Sequence, residues 1–357
     1  MKGALKRGVD LTARCAILSG FVGLLEKLGD RKTQLLRVLT YHRVDEPDAN
    51  PNLYPNLIGA TPEGFDWQMS YLAANYRVVS MADVLDALVH GVPLPPKSVL
   101  ITFDDGYKDF AEHAWPILRR YELPVTLFVP TGFPDQPQQA FWWDRLYAAV
   151  HRTTCDELVT PAGRISLADS TRRASGMRQL VSLVKSLPDD EAKRLVEQVC
   201  TDLGSPAARN PVLGWQSLRR LAAEGVTLAP HTRHHPLLNR VGAERARDEI
   251  AGAILDLQTE LGDVLPVIAY PSGAYDRRVV EMLPPLGVKL AFTTCRGLND
   301  LRSIDPLRIR RINVGRGTSQ ALLRTQLLAW TVHLNRWLPL PNGDVRPLRP
   351  LGSGLDL

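Results

Sequence analysis

Two adjacent carboxylates, Asp104 and Asp105, stand at the end of an apolar run in the segment ITFDDGYKDF, residues 101–110. Successive strand side chains point to opposite faces, so the pair would diverge unless the strand stops there. Gly106 supplies the sharp turn that lets both acids face one pocket. Carboxylates held that close repel each other. A divalent metal offsets the repulsion if one acid is its ligand and the other stays free to take a proton. Further along, VTLAP is followed by His231-Thr232-Arg233-His234-His235-Pro236. Histidines four apart on a helical turn share one side. His231 and His235, with one aspartate, would make a three-ligand set with positions left open for water, as a catalytic zinc requires. His234 is a spare, read as a surface or supporting residue. His42 ends another apolar run, LRVLTY; a lone histidine there is usually structural, but convergence with the other motifs would give it chemistry. After VIAYP, the turn Pro271-Ser272-Gly273-Ala274 would bring backbone N–H groups toward the same pocket, although these residues also suit an ordinary Pro/Gly turn.

These motifs all follow apolar runs, and the runs alternate with helical patterns. Strands are expected at 36–41, 76–80, 98–103, 125–129, 226–230, 267–271, 289–294 and 311–314. Between them lie helical stretches such as Tyr107 to Tyr121 and the stripe Ile250, Ile254, Leu257, Leu261. Repeated β-then-α units imply a parallel sheet with helices outside. A set of about seven or eight strands favours closure into a barrel, whose chemistry gathers at the C-terminal ends of the strands. The rhythm breaks over residues 134–213, which hold FWWDRL and two polar helical segments, 172–186 and 189–203, and no convincing strand. That stretch reads as a helical insertion over the site. Residues 1–35 read as an N-terminal amphipathic helical segment, 36–320 as the barrel, and 321–357 as a C-terminal helix and loose tail.

The chain of 357 residues has ordinary globular composition, with 23% charged and 45% hydrophobic residues. The net charge of +5 comes from scattered Lys and Arg, with no basic stretch interleaved with aromatics, so nucleic acid is not the expected partner. Four cysteines lie far apart with no CxxC, which indicates neither a disulfide framework nor a thiolate zinc site. The apolar run from Cys15 to Leu25 is interrupted by charge just before it and lacks a cleavage site; it reads as core packing or an interfacial anchor. The expected location is cytoplasmic, or peripheral on the cytoplasmic face of a membrane. Oligomeric state is not readable.

Taken together, TFDDG, HTxxHP and the YPSG turn resemble the polysaccharide deacetylases, the carbohydrate esterase family 4 or nodulation-factor deacetylase homology domain. The resemblance covers roughly residues 36–315. It implies a distorted (β/α)7 barrel, here with a helical insertion, and metal-dependent removal of acetyl groups from an N-acetylated glycan. It makes Asp104 the general base and Asp105, His231 and His235 the metal triad, with zinc the usual ion and cobalt, nickel or iron as alternatives. Two departures stand out. Many members carry an arginine, two residues before the proline of the YPSG-like motif, that holds the base; this chain has Ala269, leaving Arg310 or Arg311 as candidates. The usual late histidine is also missing, and Leu39-Thr40-Tyr41-His42 resembles members in which the acid histidine moves to the first strand. A backbone N–H at Ser272, with Gly273 shaping the turn, would stabilise the oxyanion.

Two other readings compete: a deformylase of a lipid-linked amino sugar on the same fold, and a non-catalytic sugar-binding homologue. The metal assignment has a direct test. Asp105→Ala is expected to abolish metal binding and acetate release together, and full activity in that variant would contradict the assignment.

Overall fold

The apolar runs before the candidate residues form seven strands: β1 (Leu35–Tyr41), β2 (Ser98–Phe103), β3 (Thr126–Val129), β4 (Thr227–Pro230), β5 (Val267–Ala269), β6 (Leu290–Arg296) and β7 (Ile309–Asn313). A computed structural model describes residues 34–47, 53–136, 138–205, 211–329 and 331. Residues 1–33 of the expected N-terminal helix and most of the tail at 321–357 lie outside those residues, and Leu35 belongs to β1. Neighbouring strands pair in parallel in the order β5-β6-β7-β1-β2-β3-β4. β4 and β5 end this series yet lie side by side, so the sheet curls into a nearly closed barrel of seven parallel strands. The expected strand at 76–80 shrinks to Arg77–Val78, which pairs with the start of β2 off the barrel path.

Strand alternation sorts the residues by layer. Val38, Leu100, Phe128, Ala229, Ala269, Phe292 and Ile309 fill the interior. The intervening Leu39, Ile101, Phe103, Leu127 and Leu228 turn outward and pack beneath the surrounding helices. Burying a side chain of this size contributes about 1.5–3 kcal/mol. Helix starts carry the expected local signals. Thr61 accepts from the Gly64 N–H ahead of helix Pro62–Asn75, and Ser80 and Asp83 form a reciprocal capping box ahead of helix Met81–Val89. The stretch expected to be one helix from Tyr107 to Tyr121 is instead a π-helical turn, Phe110–Ala114, followed by α-helix Trp115–Arg120. Pro116 has no N–H to donate, which favours a widened turn just before it.

The interruption expected at 134–213 is present and mostly helical: α1 (Trp142–Arg152), α2 (Ser170–Ser186) and α3 (Asp189–Asp202). It also contains an antiparallel hairpin, Glu157–Thr160 with Gly163–Ser166, that the sequence pattern did not reveal. Each arm is only four residues, too short for alternation to register. Leu158, Ile165, Leu180, Val184, Leu195 and Val199 give the insertion its own core, which merges with Tyr107, Phe133 and Val212 at the barrel's rim. Among the described residues no helix is long and apolar enough to cross a membrane.

Phe103, fully buried, packs its ring against Tyr41, Phe65 and Phe110 at centroid distances of 5.1, 5.7 and 4.9 Å. Phe103→Ala is therefore expected to cost about 3–5 kcal/mol in denaturant unfolding. A loss below about 1 kcal/mol would mean that this cluster does not anchor the end of β2.

Candidate active site

Asp104 continues the inward-facing row of β2 beyond Leu100 and Thr102, and its N–H donates to the Tyr41 carbonyl at 2.9 Å. The chain then turns through two successive left-handed residues, Asp105 at φ 71° and Gly106 at φ 67°. The turn thus begins one residue earlier than the glycine alone implied, and aspartate is one of the few side chains that tolerates it. Thr232, His235 and Ser272 also sit at positive φ, at 63°, 56° and 51°. Such residues cost of order 1–3 kcal/mol each and persist only where their surroundings enforce them. His231 and His235 are accordingly not on a helical turn: a left-handed loop folds them together, with Thr232 Oγ1 accepting from the His235 N–H at 3.1 Å.

Arg311, fully buried on β7, grips Asp104 with two parallel bonds, Nη1 to Oδ1 at 2.8 Å and Nη2 to Oδ2 at 2.7 Å. Its Nε donates to the Thr293 carbonyl at 2.8 Å, which locks the guanidinium plane. Burial alone would raise the Asp104 carboxyl, but Arg311, together with His231 and His42, outweighs it and holds the group well below the ordinary carboxylate range. Of the two arginines considered, Arg310 faces outward and donates to the Arg296 carbonyl at 3.3 Å. Strand alternation distinguishes them, because Arg311 shares a face with Ile309 inside the barrel. At Ala269, where an arginine could have stood, the backbone carbonyl accepts from His231 Nδ1 at 2.8 Å. That bond crosses the β4–β5 seam and leaves Nε2 with its lone pair free.

Asp105, His231 and His235 form a buried cluster whose ligand atoms lie within 4.8 Å of one another. Asp105 Oδ1 is 3.6 Å from His231 Nε2 and 3.4 Å from His235 Nε2. Ligands bonded at about 2.1 Å around a tetrahedral ion stand roughly 3.4 Å apart, so the spacing fits a metal ion. Asp105 Oδ1 is buried without a hydrogen-bond partner among the described residues, as expected of an oxygen that a cation would satisfy. Burial, then the charges of Asp104 and Asp144, push the Asp105 carboxyl well above its ordinary value. Burial likewise pushes both histidines down, which keeps them neutral and able to ligate.

His42, Asp104, Asp105, His235 and Ser272 line one cavity of about 160 Å³, together with Tyr54, Trp142 and Lys185. His231 lies against its floor, 4.0 Å from Asp104 Oδ2. Gly273, at φ 66°, stands behind Ser272, where any Cβ would collide with the Oγ1 and backbone N of Thr294. All seven residues singled out from the sequence are therefore together, Gly273 as turn support and not as lining. His234 stays outside, its Nδ1 2.9 Å from Glu249. Burial lowers His42 to about 4; Asp104 pulls it up, but Arg311 and His231 add to the decrease.

Three supporting groups were not singled out. Arg43, next to His42, is buried and bonded to Asp109 at 2.6 Å and Asp45 at 2.7 Å. Asp144 at the start of α1 accepts from the Tyr107 hydroxyl and the Tyr54 N–H, both at 2.7 Å, and Trp143 donates to the Tyr107 oxygen at 2.8 Å. This chain ties the insertion to the acidic loop. Lys185, on the insertion, enters the cavity with no motif to mark it.

An α/β barrel that gathers an Asp/His/His cluster and an arginine-held carboxylate at its strand C-termini presents its chemistry where such barrels do. The chain belongs to the polysaccharide deacetylase family, whose model matches residues 91–291. Over 95 residues it is 35% identical to the poly-beta-1,6-N-acetyl-D-glucosamine N-deacetylase of Escherichia coli K12, a match spanning 26% of this chain and only 13% of that protein. Its fold is similar to the Streptococcus pyogenes deacetylase PplD, solved in complex with acetate (TM-score 0.56, 21% identity, 83% of this chain and 99% of that one). It is similar to the same degree to IcaB from Ammonifex degensii (TM-score 0.56, 20% identity, 83% and 97%).

The Arg311–Asp104 pair generates a prediction with a sign. A carboxyl held below its unfolded value contributes stability above about pH 4 and loses it as pH falls through the folded value. Arg311→Met should erase that contribution, destabilise the neutral-pH fold by about 3–5 kcal/mol and move the acidic limb of activity upward. A variant with an unmoved acidic limb would contradict the pairing.

Proposed function

We propose that the protein is a metal-dependent hydrolase that removes acetyl groups from the amino sugars of a glycan. The observation that carries this reading is the division of the acidic pair: Asp104 is clamped by Arg311, whereas Asp105 faces His231 and His235 with an oxygen that has no hydrogen-bond partner among the described residues. Asp105, His231 and His235 would hold the ion, with zinc favoured by the mixed carboxylate and imidazole donors and cobalt, nickel or iron as alternatives. When bound, such an ion lowers the pKa of water and polarises the acetamide carbonyl.

The residues of the chain do the rest. Asp104, fixed by Arg311, takes the proton of the attacking water. The Ser272 turn, strained and braced by Thr294, offers a backbone N–H where negative charge develops. An amide nitrogen leaves poorly unless it is protonated, and His42 is the donor. Asp104 lies below the usual carboxylate range and His42 near 4. The proton that Asp104 takes from water balances the one that His42 gives to the departing sugar amine. Acetate and a free amine result.

This route separates two kinds of substrate. His42→Ala should cut acetate release from an N-acetylated oligosaccharide by about 10²–10⁴-fold while sparing 4-nitrophenyl acetate, whose leaving group needs no proton. Equal losses on both would remove His42 from the donor role. Chelation with dipicolinate should abolish both activities and added zinc restore them; release of formate but not acetate would favour a deformylase.

A further inference from the structure

The insertion brings one positive charge into the cavity that the reaction above does not use. Lys185 on α2 lines the same cavity as Asp104, Asp105 and Ser272. It shares the cavity lining with Asp105, His42 and His235, and its charge is felt by all three. Among the described residues it has no ion pair. Asp104 is matched by Arg311; Asp105 is the acid whose charge Lys185 feels, and a cation held by Asp105, His231 and His235 would remove that match and leave Lys185 to another anion. Arg178 and Val181 lie on the same face of α2 as Lys185, seven and four residues earlier. Val181 lines the cavity, and the charge of Arg178 reaches Tyr54 on its wall. Arg178 is exposed and also has no ion pair among the described residues. Positions seven apart stand about 10.5 Å apart along a helix, so the two cations form a short basic track from the rim inward.

A half-buried ammonium without a partner is costly unless an anion joins it. We infer that Lys185 is a specificity-determining residue and that the substrate is an anionic glycan, carrying a carboxylate or phosphate next to the acetylated sugar. The anion docks on Lys185 and its neighbour along the chain meets Arg178. This inference rests on the deacetylase reading, and it differs from a role in charge stabilisation during the reaction. A group that holds a substrate anion acts through KM and only on charged substrates, whereas one that stabilises developing charge acts through kcat on every substrate.

The test compares two probes that both carry N-acetylglucosamine: neutral N-acetylchitotetraose and an anionic hyaluronan tetrasaccharide. The full-length holoenzyme should prefer the anionic probe in kcat/KM. Lys185→Ala should reduce that preference about tenfold, mainly through KM, a loss of one modest ion pair. Lys185→Arg should restore most of it, and Arg178→Ala should reduce it less. Lys185→Gln serves if circular dichroism shows the alanine variant misfolded. Calorimetry with Asp104→Asn protein reads the same preference without turnover. If no glycan is deacetylated but this binding preference exists and depends on Lys185, the deacetylase reading falls and the inference stands. Equal binding of the two probes, or an equal loss of kcat on both in the Lys185 variants, overturns the inference.

Discussion

Two successive carboxylates in a buried loop cannot be stabilised by the same neighbour. Asp104 and Asp105 are both nearly inaccessible, and the charge of Asp104 raises the cost of ionising Asp105. The fold resolves this by giving them different partners. The first receives a planar, permanently charged guanidinium in a bidentate grip, the strongest geometry available to a carboxylate. The second receives two imidazoles and no fixed cation. That asymmetry fixes one carboxylate in place and leaves the other with an unsatisfied oxygen beside two histidines, and the rest of the mouth is arranged around it.

The barrel delivers this arrangement through its interior rows. Each inward-facing series runs from apolar packing into a polar end: Val38 and Thr40 toward His42, Thr102 toward Asp104, Ala229 toward His231, Ile309 toward Arg311. Thr40 and Thr102 meet at 3.2 Å just below the site, marking the change from dry core to polar mouth. Where β4 and β5 are not joined by ladder bonds, the His231–Ala269 contact spans the gap and fixes which imidazole nitrogen faces Asp105. A residue of the site thus also ties the seam of the fold. The insertion closes the other side, held to the acidic loop by the Asp144–Tyr107–Trp143 chain. Burial raises Asp144 to about 7, with the Tyr54 and Tyr107 donors opposing it.

Much of this was legible in the sequence because it depends on short-range order. Strands end in motifs, so the sequence alone places TFDDG and HTxxHP at the mouth, and the family resemblance implies different roles for the two acids. Arg311 was narrowed only to a pair, since the partner lies 207 residues from Asp104 and nothing local encodes that distance. The inward register of Ile309 was the available clue. The histidine loop looked like a helical turn because spacing by four suits one; its left-handed residues Thr232 and His235 have no sequence signature. Lys185 was invisible for a different reason. It sits on a polar helix among many basic residues, and only the docking of that helix over the cavity distinguishes it.

The central claim is that the acidic pair is divided between two partners, one fixed and one supplied by an ion. Crystals of the full-length protein with zinc, measured at the zinc absorption edge, test it most directly. One anomalous peak is expected, bonded by Asp105, His231 and His235 at about 2.0–2.2 Å, with Asp104 uncoordinated and still gripped by Arg311. A peak bonded to Asp104, with Arg311 displaced from it, would contradict the account.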